Sequence, residues 1–140
     1  MDLKFFLNII FPARCPGCGE ETGGATICGA CFESIRVNQT LFCGKCRARL
    51  AAQKRICHKD YPFVLGAACS YSNSLAKELI HDLKFKFVKD AADALGELLA
   101  KYTGGTGISL ENFLVIPLPL SAKRLRERGF NQSELIAEKF

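Results

Sequence analysis

Seven of the eight cysteines fall within the first 57 residues, and six of them form three C-x-x-C pairs: Cys15/Cys18, Cys28/Cys31 and Cys43/Cys46. A half-pair follows at Cys57, with His58 and Asp60 beside it. Two residues between paired cysteines let both thiolates of one tight turn face the same tetrahedral ion. The spacers are 9, 11 and 10 residues, counted from Cys18 to Cys28, Cys31 to Cys43 and Cys46 to Cys57. So regular a pattern of soft ligands is that of two zinc sites written in succession. Eight cysteines could also form a disulfide framework in a secreted chain. The paired spacing favours metal.

Two groupings satisfy the spacing. Sequential sites would place Cys15, Cys18, Cys28 and Cys31 on one zinc, and Cys43, Cys46, Cys57 and a fourth ligand on another. A cross-braced arrangement would mix the first pair with the third. Spacers of about ten residues suit a hairpin that joins two knuckles, so sequential sites are expected. The last half-site reads C-H-K-D, and Asp60 stands where a fourth cysteine would complete the pair. Asp60 is therefore the expected fourth ligand, with His58 able to bind zinc as well; the alternative is a degenerate second site that holds no metal. No base or substrate pocket accompanies the cysteines, so the metal is structural.

The elements that must position these ligands are short. Residues 1–11 read as an amphipathic helix stopped by Pro12, and 12–62 as a turn-rich metal region. Such a segment buries too little surface to fold alone, so zinc must supply folding energy. The composition changes after Tyr61-Pro62, which divides the chain into 1–62 and 63–140. The run FVLGAACSY at 63–71 reads as a buried strand with Cys69 as a core residue. Ser72 or Ser74 is the expected cap of a helix with Leu75, Leu79, Ile80 and Leu83 on one face. A second helix over about 89–102 turns Ala92, Leu95, Leu99 and Tyr102 inward and ends at TGGTG, residues 103–107. FLVIPL at 113–118 is a continuous apolar run, as in a parallel strand buried on both faces. A basic loop follows at 119–130, then an amphipathic helix from 131 with Leu135 and Ile136. Strand, helices, strand, loop and helix in that order define an α/β domain. Two strands do not make a stable parallel sheet, and the last helix has no C-cap, so the domain is expected to be truncated.

The net charge is +5. Residues 1–69 carry 9 Lys/Arg against 5 Asp/Glu, and 70–140 carry 10 against 9. The excess lies around Arg47, Arg49, Lys54, Arg55 and Lys59, either an ordinary solvated face or a phosphate-binding one. No stretch approaches a membrane span. The apolar run at 5–11 is short, is broken by Asn8 and lacks a cleavage site, so the expected location is the cytoplasm. Lys123, Arg124, Arg126 and Arg128 follow the apolar run 113–118, with Gly129 next. Four cations beyond the carboxyl end of a strand suit pyrophosphate, because guanidinium forks match phosphate oxygens.

The segments FPARCPGCG, ICGAC, FCGKC, SYSNSLAKELIHDLKFKF and PLPLSAKRLRERGFNQSELI together resemble the ComF family, the competence-protein-F-like phosphoribosyltransferase homologues of bacteria. That family joins an N-terminal double zinc ribbon to a type I phosphoribosyltransferase domain of Rossmann type. The resemblance implies the first half of such a domain here. It also implies that Lys123, Arg124, Arg126, Arg128 and Gly129 face the pyrophosphate of phosphoribosyl pyrophosphate, with Asn131 and Gln132 starting the helix behind. Lys84 and Lys86 of LKFKF would lie near the same site. It further implies zinc, magnesium for the full-length protein alone, and a link to single-stranded DNA and to DNA-uptake proteins in natural transformation. The chain departs from the family at Asp60. It also lacks the strand, two acids and glycine/threonine loop that hold phosphoribosyl pyrophosphate: Asp90 and Asp93 lie on a helix, and TGGTG has no strand before it. No catalytic residue is therefore assigned. The other reading is a stand-alone zinc-ribbon module that binds nucleic acid or protein without catalysis.

Overall fold

The computed structural model describes residues 12–51 and 56–140. The expected helix over 1–11 lies outside them. In chain order the elements are α1 (Gly29–Glu33), β1 (Phe42–Cys43), β2 (Val64–Leu65), α2 (Ser74–Phe85), α3 (Ala91–Thr106), α4 (Ala122–Arg128) and α5 (Gln132–Lys139). The two strands pair antiparallel, Phe42 with Leu65 and Cys43 with Val64.

The helices α2, α3 and α5 carry the apolar spacing that makes them pack. Asn73 caps α2 by accepting the Ala76 amide at 3.0 Å, in place of the expected serines. Asn at this position meets the same need, an oxygen for an amide of the first turn. Leu79 and Leu83 are fully enclosed, and Leu75 and Ile80 pack at the edge of the same core. α3 runs four residues further than the sequence suggests, through Gly104 and Gly105, and stops at Gly107 in the left-handed conformation (φ 66°). Its buried face is Ala91, Ala92, Leu95, Leu98 and Tyr102, with Leu99 only half-buried.

The ribbon region shares this core. Cys15, Ile27, Phe32 and Ile35 pack with Leu79, Leu83, Leu95 and Leu98 in one cluster. α3 also reaches across by polar contacts. The Tyr102 hydroxyl donates to the Thr40 carbonyl at 2.9 Å, and Lys101 pairs with Glu33 at 2.5 Å and lies 4.5 Å over the Phe32 ring. The strand β2 and the bridge between Val37 and Cys69 tie residues 63–69 to the ribbon side. Cys69 is half-buried against the core, and burial raises its thiol pKa.

Two expected buried strands take a different form. Of 63–71 only Val64 and Leu65 are in a strand, and both are exposed. Residues 113–118 form no strand at all, and Leu114 and Ile116 are 83 % and 75 % exposed. A parallel strand needs neighbours to bond its amides, and none flanks this segment among the described residues. The Rossmann-type sheet is thus not formed by the described residues; what they form is a small antiparallel pair with helices packed beside a zinc-ribbon region. The expected basic loop is itself helical: α4 is capped by Ser121, whose hydroxyl accepts the Arg124 amide, and ends at Gly129 (φ 73°). No helix among the described residues is long and apolar enough to cross a membrane.

Candidate metal centres

The first cluster gathers Cys15, Cys18, Cys28 and Cys31, whose sulfurs all lie within 4.8 Å of one another. A short hairpin presents the first pair. The Cys15 amide donates to the Glu20 carbonyl, the Gly19 amide to the Cys15 carbonyl, and the Thr22 amide to the Ala13 carbonyl, at 2.8–2.9 Å. Cys28 caps α1 through its sulfur, which accepts the Cys31 amide at 3.4 Å, so the helix itself delivers Cys31. Gly17 permits the closure: a Cβ there would lie 2.7 Å from Leu75 and 2.8 Å from the Cys31 sulfur.

The second cluster gathers Cys43, Cys46, Cys57 and His58, again within 4.8 Å. Cys43 ends β1, and Cys46 follows on the turn closed by the Arg47 amide to the Cys43 carbonyl at 2.9 Å. Asp60 is not part of it. Its carboxylate pairs with Lys45 at 2.8 Å, and that ammonium holds the Asp60 carboxyl below its ordinary pKa. The turn from His58 to Tyr61, closed by the Tyr61 amide to the His58 carbonyl, leaves the imidazole facing the thiols and sends the carboxylate outward. The fourth position therefore belongs to His58.

The distances fit zinc. With Zn–S near 2.3 Å and Zn–N near 2.0 Å, a tetrahedron has S···S edges of about 3.8 Å and S···N edges of about 3.6 Å. The structure has Cys18–Cys28 at 3.7 Å, Cys46–Cys57 at 3.8 Å, and Cys43 Sγ to His58 Nδ1 at 3.5 Å. All eight cysteines are free of disulfides. The grouping is sequential, not cross-braced. Four sulfurs, and three sulfurs with one imidazole, are both closed ligand sets of structural zinc.

Crowding sorts the thiols by acidity. Burial raises Cys15, but the backbone amides of Cys28, Cys18 and Gly17 outweigh it and hold the thiol at about 6. The Cys46 amide leads in lowering Cys43 to about 6, against burial and with help from the His58 ring. Cys31 is pushed up to about 12, first by the Cys28 thiol and then by Cys15, because four sulfurs in one cluster cannot all ionise unaided. A dication reverses that order by neutralising the thiolates together.

A third grouping, Glu78, His81 and Asp82, has its space filled by Lys86, whose ammonium lies 2.7 Å from Asp82 and 3.0 Å from Glu78. That pairing also commits Lys86, whereas Lys84 is exposed. On α4, Lys123, Arg124 and Arg126 are exposed, and no α4 residue is buried. Arg128 is engaged: it donates to the buried Gln132 Oε1 at 3.0 Å and lies 5.9 Å from the Phe85 ring. Asn131 and Ser133 donate to the Leu118 carbonyl, which pins α5 to the end of the apolar segment.

Residues 6–61 match the family model for a double zinc ribbon domain, the class that the two clusters define. Over 123 residues the chain is 33 % identical to the DNA utilization protein YhgH of Shigella flexneri, covering 80 % of this chain and 52 % of that protein. The proteins of the same name from Escherichia coli O6:H1 and Escherichia coli K12 match over the same shares, at 33 % and 32 % identity. The chain spans about half the length of these curated relatives. No solved structure matches it.

Proposed function

We propose that this chain is the zinc-ribbon half of a ComF-type, phosphoribosyltransferase-like protein that acts on DNA in the cytoplasm, and that α4 binds pyrophosphate or the pyrophosphate of phosphoribosyl pyrophosphate. The relatives' name, DNA utilization protein, supports the DNA association. The observation that carries the ligand reading is the pairing of an exposed apolar segment with an exposed cationic helix. Residues 113–118 are apolar in every position and exposed at all but Pro117, and they lead within a few residues into the capped helix that carries Lys123, Arg124 and Arg126. An inner strand of a parallel sheet has this character before its neighbours are added, and anionic ligands sit beyond the carboxyl ends of such strands.

In this reading Lys123, Arg124 and Arg126 neutralise the pyrophosphate oxygens. Arg128 and Gly129 hold the corner that aims them. Magnesium, when bound in the full-length protein, supplies further charge for a leaving pyrophosphate. The acids and the glycine/threonine loop that would hold the ribose are not present in residues 1–140, so no transferase step is assigned to them.

The test is calorimetric titration of the zinc-loaded chain with pyrophosphate. Parent protein should bind, and K123A/R126A should weaken binding at least about tenfold, since each charge-assisted contact contributes roughly 1.5–3 kcal/mol. Equal affinity in parent and variant refutes the ligand reading.

A further inference from the structure

The two metal centres differ in what an oxidant can reach. In the first, Cys15 is buried, Cys28 and Cys31 pack against the helical core, and Cys18 alone is exposed. In the second, Cys46 and Cys57 are both exposed, and their sulfurs lie 3.8 Å apart. No ligand of the second site belongs to the core cluster. Sulfur ligands of a metal are thiolates, which is also the form that attacks an oxidant.

The backbone sets how easily each pair can close. An S–S bond is about 2.05 Å long, so neighbouring sulfurs must draw in by roughly 1.7 Å. In the first site the pair to consider is Cys18 and Cys28, at 3.7 Å. The Cys28 sulfur caps α1, however, and α1 carries Phe32 into the core. Drawing that sulfur outward would uncap the helix. Among the described residues no helix depends on the sulfur of Cys46 or Cys57. The turn at Cys46 is closed by the Arg47 amide with Arg47 left-handed (φ 58°), where the first knuckle has Gly19 (φ 77°). That conformation suits glycine and strains an arginine, so the second turn yields at less cost. Lys45, next to Cys46, pairs with Asp60, just beyond Cys57, at 2.8 Å, and the Gly44 amide donates to the Phe63 carbonyl at 3.1 Å. These ties keep the two halves of the site together while the sulfurs close. Cys43, the other neighbour of Cys46, is buried at the end of β1.

We propose that Cys46 and Cys57 are an oxidation site: a peroxide joins them as a disulfide and empties the second zinc site, while the first site and the helices remain. One thiolate attacks a peroxide oxygen, breaks the O–O bond, becomes a sulfenic acid and releases hydroxide. The other thiolate displaces the sulfenic oxygen as a second hydroxide and forms the S–S bond. Two electrons pass from the sulfurs to the peroxide. Cys43 and His58 alone do not complete a tetrahedral set, so the site gives up its ion. A dithiol reverses the step by exchange, ending as a disulfide itself and returning both thiols to the chain. The disulfide joins residues 11 apart, and it restrains the ribbon in place of the metal.

The probe is hydrogen peroxide, added to the zinc-loaded chain. Zinc release is read with a chromogenic chelator, disulfides by mass spectrometry of non-reduced peptides, and the helices by far-ultraviolet circular dichroism. One zinc per chain should leave, in step with a Cys46–Cys57 disulfide, and the thermal transition of the helices should be kept. The first site should lose its zinc at least about tenfold more slowly, because its sulfurs are less accessible. Dithiothreitol with added zinc should restore two ions per chain. A disulfide between Cys18 and Cys28, or between Cys43 and Cys46, overturns the pairing. Release of both ions at the same rate overturns the difference between the sites. Zinc loss with sulfinic or sulfonic acid at Cys46 and no disulfide makes the event damage and overturns the exchange. If both ions stay bound and every thiol stays reduced in excess peroxide, there is no oxidation site.

Discussion

Loss of the first zinc should unfold the whole described body, while loss of the second should spare the helices. The perturbations are C18S and C46S, which each remove one exposed sulfur of a C-x-x-C pair. Ligand sets of this kind bind zinc with roughly 10–16 kcal/mol, as much as the entire stability of an ordinary domain. What differs is how far each loss spreads. The first cluster holds Ile27, Phe32 and Ile35 against Leu79, Leu83, Leu95 and Leu98. Burying each of those three side chains contributes about 2 kcal/mol, so releasing the first ribbon withdraws roughly 6 kcal/mol from the helical core. That lies within the range of a small domain's whole stability, and the helices should melt with the ribbon. Cys43 and Leu50 are also buried, but neither belongs to that core cluster. The assay is far-ultraviolet circular dichroism through a thermal ramp, with zinc measured by mass spectrometry. C18S should lose the cooperative helical transition. C46S should keep it with one zinc per chain. Equal loss of helical signal in both variants would refute the reasoning, since it would mean that the second site supports the core as much as the first.

The remaining expectations are narrower. H58A should reduce zinc to about one per chain, whereas D60N should retain two, because Asp60 is paired with Lys45 and lies outside the cluster; the reverse pattern would restore Asp60 as the ligand. R47G should raise stability by about 0–1.5 kcal/mol, the relief of about 1–2 kcal/mol of left-handed strain less about 0.4–1 kcal/mol for the freer unfolded chain. A marked loss in chemical denaturation would show that the arginine is structural. Zinc uptake by the reduced, metal-free chain at pH 7 should release protons, at least from Cys31, held at about 12 by Cys28 and Cys15, and from Cys57, raised first by Cys46. Both thiols keep their protons below those raised values, and the metal expels them. A pH indicator that records no release would contradict the thiol ordering.

How much of this was legible in the sequence depends on what each residue needs from its neighbours. The cysteines needed little: C-x-x-C turns are local, so their pairing and sequential grouping could be read before any packing was known. The fourth ligand of the second site was not legible by counting. Position 60 completes a C-x-x-C spacing, but the turn at 58–61 and the competing ammonium of Lys45 decide which side chain faces the thiols. The helices α2, α3 and α5 were readable from their apolar spacing, and only their ends moved, because Asn73 caps as well as serine does and glycines do not stop a helix already held by its buried face; α1 and α4, too short and too polar to show such spacing, were not. Composition showed Arg47 only as one cation of the basic excess. Its meaning comes from the φ angle it shares with Gly19, although alignment of CPGCG on CGKCR would have matched the two positions.

The strands failed for a physical reason that also bears on function. A helix satisfies its amides within its own segment, whereas a strand borrows its partners from elsewhere in the chain. Apolar composition at 113–118 describes the environment this segment suits, not the one the described residues provide. The same holds for Phe63, Val64 and Leu65, exposed although one short strand is formed. Both stretches lie at the margin of a core that is otherwise closed by the first zinc cluster and by α2, α3 and α5. The zinc ribbon thus does for this chain what a larger sheet does elsewhere: it covers one side of the helices and gives α3 a partner at Glu33, Phe32 and Thr40. Under the proposed function, the exposed apolar segment 113–118 is where the rest of a phosphoribosyltransferase-like sheet would add, just ahead of α4 in the chain. K123A/R126A, which removes two exposed cations of a helix with no buried residue, should then weaken pyrophosphate binding while leaving both zinc ions and the thermal transition unchanged. Loss of zinc or of the helical transition in that variant would show that α4 supports the fold and would undo its assignment to the ligand.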